Sequence, residues 1–220
     1  MALVSIVLAS ARAGAEPASF VEALRTARPS IVGITCGRAN HTPRVGAGVV
    51  IDKAGDVLTV AHLVEGCAAQ VELADGRTLA TRLVGRDARL DLAIVRVEAA
   101  GALPPPAALA PSLALGEPVA AVGRPAGLPV VASAGIVGGL DVEIASPVGP
   151  RGSRWRVVAT DAATARGSSG GPLLRTDGTI AGLVVMTHAE AKLTLAHGVA
   201  SMREGMARIA ATSAPRRSRP

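Results

Sequence analysis

Gly167-Ser168-Ser169-Gly170-Gly171-Pro172 stands between two apolar runs, Val157 to Ala163 and Leu173 to Val185. A glycine-serine string on its own is usually a flexible linker. Linkers seldom separate two strands of one compact unit, however, and here the glycines permit a tight turn that presents a serine hydroxyl while backbone N–H groups converge beside it. A serine hydroxyl is a poor nucleophile until a base takes its proton and donors stabilise the developing oxyanion. An imidazole and a carboxylate must therefore come from elsewhere in the chain.

Four histidines are available: His41, His62, His188 and His197. The strand-like run Asp56 to Val60 leads directly into Ala61-His62-Leu63-Val64, which places the His62 imidazole where a strand gives way to a helical turn. A lone histidine beside an apolar strand is more often a satisfied core residue, but a serine turn that needs a base reverses that weighting. The other three have no ligand-like spacing and His41 lies in a polar stretch with Asn40 and Thr42, so neither a metal site nor a cofactor is expected. For the carboxylate, Asp91 opens the apolar run Leu92-Ala93-Ile94-Val95, a strand start where a side chain is half buried and can face an imidazole. Its competitor, Asp87, is flanked by Arg86 and Arg89 and reads as a surface partner of arginine.

Outward from these residues the chain is a succession of short Val/Ile/Leu runs divided by turn residues. In the first half strands are expected at 30–36, 46–52, 57–60, 70–74, 78–84 and 92–97. In the second they are expected at 117–122, 130–137, 155–160, 171–174, 179–185 and 195–201. Between the halves Gly101 to Ser112 holds the only proline triplet and no charge, as a connector would. Helical spacing marks Phe20 to Ala27, stopped by Pro29, and Met202 to Ala210. Two similar β-rich halves joined by such a connector predict an all-β fold of two packed barrels with short N-terminal and C-terminal helices.

Hydrophobic residues make up 49% of the 220, enough to fold without staples, while Phe20 and Trp155 are the only aromatics. Stacking platforms for bases are therefore missing, and the formal charge of +6 comes from scattered arginines with one cluster at Arg216, Arg217 and Arg219; nucleic acid is not an expected partner. Met1 to Ala15 has an apolar stretch followed by Ala13-Gly14-Ala15, which reads as a signal peptide and implies an exported, periplasmic or extracellular protein. No basic residue precedes the stretch, so a buried helix is the alternative. No other segment has the roughly 20 apolar residues needed to cross a bilayer. Cys36 and Cys67 lack the spacing of a structural zinc site and could form one bridge or remain two buried thiols.

GAGVVIDKAGDVLTVAH (46–62), DLAIV (91–95) and TDAATARGSSGGPLL (160–174) resemble, in order and approximate spacing, three motif blocks of the HtrA (Deg) serine proteases. AVGRPAGLP (121–129), AGIVGGL (134–140) and HGVASM (197–202) extend the likeness over roughly Phe20 to Ile209. The resemblance implies a chymotrypsin-like double β-barrel spanning residues 16–210. Its first barrel would cover about 28–100, its connector 101–112 and its second barrel about 113–201, with 211–220 left as a basic tail. It also implies a serine endopeptidase in which His62 is the general base, Asp91 orients it and Ser169 attacks. The N–H groups of Gly167 and Ser169 would form the oxyanion hole. Ala163 would lie at the base of the substrate pocket with Val185 and Gly198 on its walls, so small or medium aliphatic residues would precede the cut. Unfolded or extended polypeptides are the substrates so implied.

Two residues depart from the family's pattern: Arg166 stands where proline is usual, and Ser168 where asparagine is usual. The second expectation is therefore a peptide-binding pseudoprotease with a chaperone-like role, in which that loop leaves the oxyanion hole collapsed. Ser168 also replaces the aspartate that pairs with a freed N-terminus in digestive relatives, so activation by clipping is not expected, and Ile31-Val32-Gly33 is assigned to the first strand. The PDZ domain common in the family is not expected, since only about ten residues follow the last helix. A homo-oligomer is possible but not indicated.

Overall fold

The computed structural model describes residues 19–38, 41–98, 103–124 and 128–213. The expected signal peptide, residues 125–127 and the tail from 214 onward lie outside the described residues.

Among the described residues the strands form two closed antiparallel barrels. The first contains β1 (Ile31–Arg38), β2 (His41–Val50), β3 (Asp56–Val60), β4 (Ala68–Glu72), β5 (Thr78–Asp87) and β6 (Leu92–Val97). They run in the order β1-β2-β3-β6-β5-β4, and β4 closes on β1 through pairs such as Thr35 with Gln70. The second contains β7 (Pro118–Gly123), β8 (Val131–Ala145), β9 (Arg154–Thr160), β10 (Pro172–Arg175), β11 (Ile180–His188) and β12 (Leu193–Gly198). Their order, β7-β8-β9-β12-β11-β10, repeats that of the first barrel, and β10 closes on β7. This is a chymotrypsin-like double β-barrel.

With so few aromatic residues, branched aliphatic side chains fill both interiors: Ile31, Ile34, Leu58 and Leu92 in one, Leu173, Ile180 and Leu183 in the other. Each such side chain withdrawn from water contributes about 1.5–3 kcal/mol before the cost of ordering it. The described part of the connector is bonded to both barrels: Ala107 N–H donates to Val50 O (3.0 Å) and Ala110 N–H to Ile180 O (2.8 Å). Helix α1 (Phe20–Ala27) precedes the first barrel, and one-turn helix α2 (Ala61–Val64) follows β3. Helix α3 (Val199–Ser213) leaves the second barrel and returns to the first, with Met202, Gly205 and Ile209 buried on one face.

Several elements differ from the sequence expectation. β12 ends at Gly198 and α3 begins at once, so Val199 to Ser201 are helical rather than extended. β2 starts at His41, not Gly46, because its outer end is a ribbon paired with β1 whose polar side chains face solvent. β8 runs on to Ala145 past two register shifts near Gly139. Its largely exposed residues lack the apolar alternation that betrays a half-buried strand.

Candidate active site

His62 sits in α2, immediately after the fully buried β3, and Asp91 immediately precedes β6, the strand paired to β3. That pairing brings the two together. Ala61 N–H donates to Asp91 O (2.7 Å), His62 N–H to Asp91 Oδ1 (2.8 Å), and His62 Nδ1 lies 2.5 Å from Asp91 Oδ2. One carboxylate thus holds both the main chain and the ring of the same histidine. Since a carboxylate only accepts, Nδ1 carries the proton in this pairing and Nε2 is left as an acceptor. Asp91 is 4% exposed, so its charge has little compensation from water and depends on these donors.

The Asp91 backbone has φ +54°, in the left-handed region, which a non-glycine residue keeps only when its surroundings impose it. The surroundings here come from the other barrel. Trp155 Nε1–H of β9 donates to Arg89 O (2.7 Å), and His197 Nε2–H of β12 to Leu90 O (2.7 Å), which fixes two consecutive carbonyls just before Asp91. The two rings meet edge-on with centroids 4.9 Å apart. His197 is fully buried and its Nδ1 has no partner among the described residues. Burial pushes its basicity below that of an ordinary histidine, against the opposing pull of the Leu90 carbonyl and the Asp91 and Asp87 charges.

Asp87 corrects its expected surface role. It is buried, its Oδ1 accepts from Arg89 N–H (2.9 Å), and its Oδ2 accepts from Arg208 Nε (2.6 Å) of α3. The guanidinium that pairs with it lies 121 residues away rather than beside it, and Arg86 turns instead to Glu65.

Ser169 lies in the turn before β10, and that turn is docked on the first barrel. Ser169 O accepts from Ala47 N–H (2.9 Å) of β2, and Gly170 N–H donates to Val184 O (2.8 Å) of β11. A Cβ on Gly170, at φ +81°, would stand 2.1 Å from Ala47 O, so only glycine allows this approach. Ser168 N–H donates to Ala165 O (3.0 Å) and closes the loop, while the Gly167 carbonyl accepts from Arg124 N–H (3.2 Å). Among the described residues the N–H groups of Gly167 and Ser169, on either side of Ser168, donate to nothing. Ser169 Oγ and His62 Nε2 likewise have no hydrogen-bond partner among them.

Two cavities flank Ser169. One, of about 600 Å³, is lined by His62, Asp91, Ser169 and Val185 together with Trp155 and Met186. The other, of about 580 Å³, shares His62, Arg166 and Ser169 with the first and lies between residues 42–45 and 166–167. His62, Asp91, Ser169 and Val185 therefore share one cavity. Ala163 lines a separate concavity beside Ser133 and Ser168, and Gly198 another beside Val158 and Ala181, so neither lines the cavity of Ser169. Cys36 and Cys67 form a disulfide that joins β1 to the segment after α2. Arg44 Nη1–H donates to His62 O (2.8 Å) and Nη2–H approaches Cys36 Sγ (3.1 Å). Sequence reasoning missed Trp155, His197 and Arg44, because each acts on backbone carbonyls distant in sequence.

A buried carboxylate holding a partly exposed imidazole on one barrel, in a cavity shared with a serine turn on the next, defines a chymotrypsin-like architecture. A family model described as "Trypsin-like peptidase domain" matches residues 46–183, and the chain belongs to that family. It is 39% identical over 149 residues to "Putative serine protease HhoA" of Synechocystis sp., covering 66% of this chain and 38% of that protein. It is 31% identical over 176 residues to "Serine endoprotease DegS" of Salmonella typhimurium, covering 76% and 48%. Among solved structures it is similar to the serine endoprotease from Yersinia pestis, with a TM-score of 0.74 and 25% identity, covering 88% of this chain and 67% of that one. The chain spans less than half the length of the two curated relatives.

Proposed function

We propose that this chain is a serine endopeptidase that hydrolyses peptide bonds in unfolded or extended polypeptides. The observation that carries the reading is the double hold of Asp91 on His62 within the cavity that also contains Ser169. In this mechanism His62 Nε2 takes the proton from Ser169 Oγ as the oxygen attacks the substrate carbonyl carbon, and Asp91 stabilises the resulting imidazolium. The N–H groups of Gly167 and Ser169 receive the oxyanion, and each such donor is worth about 3–4 kcal/mol of barrier. The imidazolium then protonates the leaving amine, and water, activated by the same base, releases the acyl group.

Val185 in the wall of the Ser169 cavity, with Met186 and Trp155 nearby, supports a preference for small or medium aliphatic residues before the cut. The margin per methylene is about 1–3 kcal/mol, so selectivity is loose. The Cys36–Cys67 disulfide supports export to an oxidising compartment.

A second reading, a peptide holder without turnover, draws on the missing hydrogen bond between Ser169 and His62, although such bonds often tighten only once substrate is bound. A fluorophosphonate probe separates the two. Covalent labelling that disappears in Ser169→Ala is the outcome expected of the enzyme, and no labelling of the folded protein is that expected of the holder.

A further inference from the structure

The cavity between Thr42–Val45 and Arg166–Gly167 contains an electrostatic imbalance. Arg44 and Arg166 both line it, His62 and Ser169 border it, and no aspartate or glutamate does. Other arginines do meet carboxylates, among them Arg86 with Glu65, Arg96 with Asp56, Arg124 with Glu72 and Arg175 with Glu117, while Arg82 and Arg203 are unpaired among the described residues but line no cavity beside Ser169. Neither Arg44 nor Arg166 has a carboxylate partner among the described residues. Arg44 is partly buried and spends its donors on the carbonyls of His62 and Glu65 and on Cys36 Sγ, all neutral acceptors. Its Nε is buried without an acceptor. The carboxylate that could neutralise it, Glu65, is already taken by Arg86. Arg166 is exposed, makes no hydrogen bond among the described residues, and lines the cavities on both sides of Ser169.

Two guanidiniums without counter-charges, close to a serine hydroxyl, make a place for an anion carried by the substrate. If the Val185 cavity takes the residue before the scissile bond, as the proposed function has it, the Arg44–Arg166 cavity takes the residues after it. We propose that Arg166 is a specificity-determining residue that selects an aspartate or glutamate in the first or second position after the cut, with the fixed charge of Arg44 reinforcing it. The inference rests on the proteolytic reading. A guanidinium suits this role because its planar donors grip a carboxylate in two-pronged fashion. Arg44, committed to carbonyls, supplies field rather than a grip, and the disulfide beside it keeps that charge in place.

Three internally quenched peptides test this. They share Ala-Val before the cut and carry Glu-Glu, Ala-Ala or Lys-Lys after it. The wild-type protein is expected to cleave the glutamate peptide with a kcat/KM about fivefold above the alanine peptide, and the lysine peptide more slowly than either. Salt at about 1 M should shrink the spread, as it does for exposed charges. Arg166→Ala should bring the glutamate-to-alanine ratio near one, Arg166→Lys should keep part of it, and Arg166→Glu should favour lysine. Equal cleavage of the three peptides by the wild type overturns the subsite alone, as does a glutamate preference that survives Arg166→Ala. A folded wild-type protein that cleaves none of them removes the proteolytic reading and the subsite with it.

Discussion

The two sides of the candidate site are built differently. On the His62 side, a single carboxylate bonds the ring and main chain of the histidine, and residues from the second barrel pin the turn that carries the carboxylate. On the Ser169 side, a glycine-rich loop is anchored through main-chain bonds at Ser169 O and Gly170 N–H, and two other N–H groups remain unengaged among the described residues. The contrast suits the proposed chemistry. A base must hold one tautomer and one direction throughout the reaction, whereas oxyanion donors act only when charge develops and must be free to receive it. Specific side-chain bonds provide the first; a main-chain-anchored turn that leaves two N–H groups unengaged among the described residues provides the second.

The sharpest way to break the His62 side is Asp91→Asn. The amide keeps the shape but cannot accept from Nδ1–H and the main chain without presenting a donor to one of them, so kcat should fall about 10⁴-fold with little change in KM. Steady-state kinetics on one peptide read both parameters. On the Ser169 side, Gly170→Ala places a methyl group 2.1 Å from Ala47 O at a positive φ. The loop must move off the first barrel, and activity should drop about a hundredfold, equivalent to 2–3 kcal/mol of misplacement.

Trp155→Phe asks whether the pins matter. It removes the donor to Arg89 O while keeping most of the ring, and should cost about 1–3 kcal/mol of stability in denaturant titrations, with a smaller loss of activity. The mildest effect is a pH response. Because burial depresses the basicity of His197, the folded state binds that proton less readily than the unfolded chain. Its contribution is intact above the unfolded value of about 6.5 and is lost as pH falls from there through the depressed folded value. Melting temperature should therefore decline in mild acid, and His197→Phe should flatten that part of the profile.

The contrast also separates what was readable in the sequence from what was not. Short Val/Ile/Leu runs, glycine turns and a proline-rich connector announce the strands and their division into two halves, because strand burial leaves a local trace. Ser169, His62 and Asp91 sit in segments whose surroundings are themselves distinctive: a glycine turn, a strand-to-helix junction, a strand start. The supports have no such trace. Nothing near Asp87 points to Arg208, and nothing near Trp155 or His197 points to the carbonyls of Arg89 and Leu90, since those contacts exist only once the barrels pack. The resemblance places Ala163 and Gly198 in the pocket walls; in the fold Ala163 lines a concavity that adjoins the Ser169 cavity at Thr164 and Ala165, and Gly198 lines one beside Val158 and Ala181.

The central claim is that groups from both barrels act together at Ser169. Purified wild-type and Ser169→Ala proteins, incubated side by side with one unfolded protein substrate and analysed by mass spectrometry, test it most directly. Fragments ending in Val, Ala or Leu from the wild type alone are the predicted result. Identical fragments from both proteins, or an intact substrate after exposure to a folded wild type, would contradict it.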